Sequence, residues 1–302
     1  MNEIRNMAAS VRQRLLNRSR EEGDNFQTLL TRYASERFLY RLSQSQYRDR
    51  FVLKGAMLFV LWEGHLHRLT GDLDLLGYGE QDVESLVEVV REICSTSVPD
   101  DGLTFLSETV AGNLIREDQA YEGVRIVVRA LLSKARIRLQ IDIGFGDAVT
   151  PEAEEEEFPT ILDSPAPTLR MYPKETVVAE KLENMVDLGI ANSRMKDFYD
   201  VLYLARRFEF DGSVLTEAIK ATFERRRTPL PDEPPLALTG RFSSDGTKVG
   251  QWRAFLSRVG ITGEKDLPDA IDELRIFLLP LLSALASQTE FNQIWNAGGW
   301  RA

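Results

Sequence analysis

From Thr70 to Leu76 the sequence reads Thr-Gly-Asp-Leu-Asp-Leu-Leu, with carboxylates and leucines at alternate positions. Strand side chains point to opposite faces in turn, whereas one face of a helix recurs every three to four residues. The alternation therefore demands a strand buried on its leucine side. It puts Asp72 and Asp74 together on the other side, roughly 7 Å apart. Two carboxylates so placed repel each other unless a cation lies between them, and divalent cations take oxygen ligands. Taken alone, the pattern also fits a solvated strand face in an acidic protein.

The segments around this strand set the fold class. Apolar residues at helical spacing, including Leu29, Leu30, Tyr33, Phe38, Leu39 and Leu42, make the first 50 residues helical. Phe51-Val52-Leu53 reads as a short strand, followed by a buried helix from Ala56 to Trp62, and Asp82 to Ser95 as an amphipathic helix. Arg125–Leu132 and Arg136–Phe145 are rich in β-branched residues and form a hairpin, whose second arm turns Arg136, Arg138, Gln140 and Asp142 to one face. The acidic run from Pro151 to Pro159 reads as an exposed loop near a domain boundary. After Pro173 the pattern becomes helical: Lys174–Leu188 is stopped by Gly189, and Arg194–Phe208 is capped by Ser193. Residues 228–240 are too rich in proline for regular structure and form a linker or a lid, and the last 50 residues return to helix. The expectation is an α+β fold, with a small mixed β-sheet flanked by helices in residues 1–165 and a mainly helical domain in residues 166–302.

Composition narrows the function. The net charge of −10 argues against a general nucleic-acid binder. The first 50 residues are an exception, with ten Arg against six acids, so they could form a basic arm for a phosphate backbone or simply a solvated helical face. No apolar run reaches the ~20 residues that span a bilayer. The only cysteine, Cys94, excludes an internal disulfide and fits a reducing, cytoplasmic setting.

Chemistry concentrates around the acid pair. Lys54-Gly55-Ala56 sits at a strand-to-helix junction, where glycine lets a phosphate approach the backbone. Asp142 is placed by its strand pattern as a third carboxylate. Three such acids can hold Mg²⁺ or Mn²⁺ against the oxygens of a nucleoside triphosphate. Lys181 falls at the edge of an apolar helical stripe, where an ammonium needs a phosphate or carboxylate, unless it snorkels outward. Lys196 and Asp200 are four apart and Asp197 and Asp200 three apart, so they can share one helix face, as active-site groups or as surface ion pairs. His67 and Arg68 precede the acidic strand and can line a nucleotide pocket, and His65-x-His67 lacks the further ligands of a zinc site.

The stretches FVLKGAMLF…HRLTGDLDLLGYG and VVAEKLENMVDLGIANSRMKDFYDVLYLAR resemble the two signature blocks of the AbiEii family of toxin nucleotidyltransferases, a branch of the polymerase-β-like superfamily. They frame residues 50–207. The resemblance implies that Gly55 and Lys54 meet the triphosphate, with Ala56 where the superfamily usually has a second Gly or a Ser. It implies that Asp72 and Asp74 bind metal, that Asp142 is the third acid, and that Lys181 and Asp197 are catalytic. Asp197 would be a base for the acceptor or an orienter of Lys181. Thr70, Arg68, Lys196 and Asp200 would line the nucleotide. The implied reaction moves a nucleotide from a triphosphate to RNA, notably the 3′ end of tRNA, in a toxin restrained by a cognate antitoxin. Two rivals stand beside it: a transferase of the same fold acting on a protein or small molecule, and a non-catalytic nucleotide-binding module.

Overall fold

Asn6 and Asn25 open the first two helices by accepting backbone N–H bonds, Asn6 from Ala9 and Asn25 from Gln27 and Thr28. The helices they cap are α1 (Met7–Glu22) and α2 (Phe26–Ser43). The computed structural model describes residues 6–65, 67–68, 70–117 and 121–301. They fall into two compact units, Met1–Gly146 with Glu154–Met171, and Asp147–Ala153 with Tyr172–Ala302.

In the first unit α2 is buried almost throughout from Leu29 to Ser43. Glu36 and Arg37 lie fully buried and paired at 2.8 Å. Glu36 also accepts the Ile161 N–H at 2.7 Å, and Arg37 donates to the Pro165 carbonyl at 2.9 Å. Arg41 grips Asp101 with two bonds of 2.7 and 3.1 Å. Arg14, Arg18 and Arg48 pair with Asp163, Glu22 and Glu155. The expected basic arm is thus largely consumed within the fold, because each of these guanidiniums meets a carboxylate of its own unit. Its first five residues lie outside the described residues.

The sheet comprises β1 (Phe51–Lys54), β2 (Asp72–Gly77), β3 (Leu103–Glu117), β4 (Tyr121–Leu132), β5 (Ala135–Phe145), β6 (Glu154–Glu157) and β7 (Thr168–Met171), in the order β3-β4-β5-β2-β1-β7-β6. It is mixed, with β2 parallel to β5 and β1 parallel to β7. Its apolar face, including Leu73, Ile126, Val128, Leu139 and Ile141, is buried, and α2 and α4 (Val83–Cys94) pack against its strands. The helix after β1 begins as a 3₁₀ turn over Gly55–Met57 and continues as the short α3 (Leu58–Glu63), later and shorter than the apolar run suggests. The acidic run is not wholly a loop. Glu154–Glu157 pairs with β7 as an edge strand with all four side chains exposed, and such charge on an edge discourages pairing with another chain.

The second unit contains α5 (Lys174–Leu188), α6 (Met195–Arg207), β8 (Phe210–Asp211), α7 (Gly212–Arg226), α8 (Gly240–Ser243), α9 (Gly246–Val259) and α10 (Leu267–Ala286). Its chain does not end in helix: β9 (Ile294–Asn296) and β10 (Gly299–Arg301) form a hairpin that adds to β8. Ala297 and Gly298 turn it at positive φ, and Trp295 and Trp300 pack on Phe277. Ser193 is not the cap of α6. That place falls to Arg194, whose N–H is accepted by the Asn192 side chain. The proline-rich segment is pinned at Ala237 and Leu238, both fully buried. Among the described residues no helix is long and apolar enough to cross a membrane.

Candidate active site

Strand register assembles a charged row on the open face of the sheet. Lys54 on β1 is the register partner of Asp74 on β2, Asp74 of Asp142 on β5, and Asp142 of Arg125 on β4. The row therefore reads cation, acid, acid, cation, with neighbouring strands ~4.8 Å apart. Asp72 begins β2 on the same face, exposed, in register with Gln140. Thr70 and Arg68, half-buried, lie in the segment that leads into β2.

Gly55 follows Lys54 at φ +78, a conformation that side-chain-bearing residues avoid. A Cβ there would stand 2.0 Å from Asp74 Oδ2 and 2.8 Å from Asp74 Cβ. The backbone has come to within contact of the Asp74 carboxylate, which only glycine allows. Ala56, next along, is buried.

Asp142 is held by Arg125 through two parallel bonds, Nε to Oδ1 at 2.8 Å and Nη2 to Oδ2 at 2.7 Å. Such bidentate pairs are among the stronger charge-assisted contacts. Among the described residues no group of three or more His, Cys, Asp or Glu is gathered so as to hold a metal ion. The three expected acids thus share one face, with Asp74 and Asp142 in register, without forming a ready-made three-carboxylate cage, because Arg125 already neutralises Asp142. Asp72 and Asp74 remain a fitting pair for a divalent cation: same strand face and oxygen donors only. His67 stacks on Phe59 at 3.5 Å between ring centroids, so it serves packing around the turn that leads to β2.

In the second unit, Lys181 of α5 reaches Asp197 Oδ1 at 2.8 Å and Asp200 Oδ2 at 2.9 Å on α6. Arg194 Nε binds Asp197 Oδ2 at 2.9 Å. Both carboxylates are buried, while Lys181 keeps 13% of its side-chain surface. Burial alone would raise the Asp197 carboxyl, but the Lys181 ammonium and the Arg194 guanidinium outweigh it and hold it below the usual carboxylate range. Lys181 is therefore the carboxylate-bound ammonium of the two sequence alternatives, not a snorkelling one. Lys196 is exposed and Asp200 pairs with Lys181, so these two do not form the shared face that their spacing allowed.

Two features of this unit escape the motifs. Arg226, near the end of α7, is half-buried among Glu183, Asp147 and Glu180 at 2.6, 3.1 and 3.8 Å. Burial opposes its charge, and these acids reverse that effect and raise its pKa. Its helical period with Ile219 and Phe223 marks the inward side. The start of α6 also borders a cavity of about 470 Å³, lined by Ser193, Arg194, Lys196, Gln251, Phe255 and Arg258.

The sequence model described as "Nucleotidyl transferase AbiEii toxin, Type IV TA system" matches residues 37–274, most of the chain. The chain belongs to the AbiEii family. That family's description makes it a nucleotidyltransferase toxin of a toxin–antitoxin system, and so implies a cognate antitoxin. Among solved structures, JHP933 from Helicobacter pylori aligns over 87% of this chain and 95% of its own, with 19% identity and a TM-score of 0.51, a likeness of fold. A second H. pylori structure, named a candidate nucleotidyltransferase, covers the same shares at 18% identity and a TM-score of 0.47. A search of curated proteins gives no significant match. The blocks that carry the resemblance, including Gly55, Asp72, Asp74, Lys181 and Asp197, all fall within the matched region.

Proposed function

We propose that this AbiEii-family protein transfers a nucleoside monophosphate from a nucleoside triphosphate to a hydroxyl of RNA, with the 3′ end of tRNA as acceptor. The observation that carries the proposal is the Asp72–Asp74 pair on one strand face, with Asp74 against the Gly55 backbone and in register with Lys54. Asp72 and Asp74 would hold Mg²⁺ or Mn²⁺, with Asp142 as the adjoining third carboxylate. When bound, such an ion supplies charge neutralisation at phosphate oxygens. Gly55 lets the Asp74 carboxylate lie against the backbone, and Lys54 would offer a phosphate a cation. Thr70 and Arg68 at the approach to β2 would line the nucleotide. The acceptor oxygen attacks the α-phosphorus in line, the bond to the bridging oxygen breaks, pyrophosphate leaves, and the hydroxyl proton passes to solvent.

In the helical unit Lys181 would be a catalytic cation, with Lys196 as an exposed second one. Asp197 fits the role of orienter better than that of base. Both of its oxygens are engaged by cations, it is buried, and its carboxyl sits below the usual range. Asp200 shares the hold on Lys181. An antitoxin would restrain the activity in the cell.

The test is transfer of label from each of the four α-³²P nucleoside triphosphates to total RNA with Mg²⁺, comparing the parent with Asp72→Asn. A labelled tRNA-sized band, lost in the variant and on chelation of the metal, is the expected result. Label on protein or small molecules instead would favour the other transferase reading. Toxicity undiminished by Asp72→Asn would leave an interaction module.

A further inference from the structure

The open face of the sheet does not stay acidic. Along β5 the outward side chains run Asp142, Gln140, Arg138, Arg136, and along β4 they run Arg125, Val127, Arg129, Leu131. Arg129 and Arg138 are direct register partners on antiparallel strands, and Arg136 lies one outward position beyond Arg138. All three are exposed, as is Lys134 in the turn between the strands. Like charges directly opposite each other on neighbouring strands weaken a sheet, so the fold gains nothing from this pair. Among the described residues none of the three makes an ion pair with a carboxylate. Arg138 has only a 3.4 Å contact to the Gln140 side chain, and the exposed Glu108 in the bulge of β3 reaches none of them. The contrast is with Arg14, Arg18, Arg37, Arg41 and Arg48, each of which has its acid.

Position gives the cluster its meaning. Gln140 is the register partner of Asp72, so Arg138 stands one two-residue step, ~7 Å, past the Asp72 row on the adjoining strand. Arg136 is another ~7 Å on. A chain whose terminal hydroxyl lies at the acid pair and which runs along this face meets guanidinium groups at successive steps. The guanidinium fork suits phosphate oxygens in pairs. The protein as a whole, at a net charge of −10, repels a polyanion, which makes the strip a local exception.

We propose that Arg129, Arg136 and Arg138, with Lys134 at the turn, form a track for the phosphodiester backbone of the RNA acceptor, leading its end to Asp72 and Asp74. The proposal rests on the reading that RNA is the acceptor.

The test compares the full chain with its Arg129→Gln/Arg136→Gln/Arg138→Gln variant for binding of tRNA by fluorescence anisotropy between 50 and 200 mM salt. The same three-fold change at Arg14, Arg18 and Arg48 is the control. Each lost phosphate contact flattens the plot of log affinity against log salt by ~0.7–0.9, so the track variant should lose ~2–3 from the slope. The parent then weakens about 20–40-fold more than the variant over that salt range. Because the substitutions relieve repulsion, the variant should melt no lower than the parent, which separates lost binding from lost folding. Label transfer to limiting RNA should fall while nucleotide binding holds. If the parent labels tRNA and the track variant shows the same slope and affinity, the track is refuted and the transferase reading stands. If the track variant loses no more slope than the control, it is likewise refuted. If the parent neither binds nor labels RNA, the acceptor reading itself fails and takes the track with it.

Discussion

Replacing Gly55 by Ala puts two separable costs on one atom. The backbone there has φ +78, and a side-chain-bearing residue in the left-handed region costs ~1–2 kcal/mol. The added Cβ would also stand 2.0, 2.7 and 2.8 Å from Oδ2, Cγ and Cβ of Asp74. The last two atoms lie close to a backbone fixed by strand pairing, so rotation of the carboxylate cannot clear them. Overpacking of this kind costs ~1–3 kcal/mol, giving ~2–5 kcal/mol in all. Asp74→Gly removes all three atoms, so Gly55→Ala in that background should cost only the backbone part. The coupling between the two changes is then ~1–3 kcal/mol. The single cysteine supplies the assay. Cys94 is buried in α4 of the same unit, and burial pushes its thiol up to about 12, so it resists a brief thiol-reagent pulse until the unit unfolds. Labelling against urea concentration therefore reads this unit alone. A Gly55→Ala midpoint equal to that of the parent would refute the geometry. An equal loss in the Asp74→Gly background would refute the contact while leaving the backbone argument.

Lys181→Met removes the cation shared by buried Asp197 and Asp200 and should destabilise by ~3–5 kcal/mol in a urea melt, with part of the loss recovered by adding Asp200→Asn. The Asp197 carboxyl is lowered in the folded protein, so its stabilisation is full above its ordinary pKa of ~4 and is lost as pH falls through the lower folded value. Melts between pH 7 and 3 should show a shallower acid decline for Asp197→Asn than for the parent, and parallel curves would exclude this residue as the source. Leu238→Ala empties a fully buried site, so it should cost ~2–5 kcal/mol and open residues 228–240 to limited proteolysis that spares the parent.

The alternation at Asp72–Leu76 and the hairpin of β4 and β5 were legible because period-two patterning with one apolar face leaves a single strand register. Knowing which strands neighbour β2 required more than pattern. The row from Lys54 to Arg125 is made by residues 71 positions apart in sequence, and nothing local links them. In sequence Arg125 and Arg129 are alike, two arginines four apart on one strand. Only register distinguishes the one that meets Asp142 from the one that meets Arg138. Glu154–Glu157 misled for the opposite reason: four exposed glutamates have loop composition, and their pairing is set by β7, not by their own propensity. Ser193 is a good capping residue two places before α6, but the Asn192 side chain supplies the bond there. The arginines of the first 50 residues appeared as a basic arm because Asp101, Glu155 and Asp163, which pair with three of them, are distant in sequence.

The buried Glu36–Arg37 pair also orders events during synthesis. Glu36 receives its backbone partner from Ile161, 125 residues later, and Arg37 its carbonyl from Pro165, 128 residues later. At ~5–20 residues per second, the ribosome needs roughly 6–25 s after α2 has emerged to deliver them. Until then a charged pair at the centre of the first unit lacks the groups that make its burial tolerable. A message interrupted before Ile161 gives a chain that already carries Asp72, Asp74 and Asp142 yet has no means of closing the unit around them.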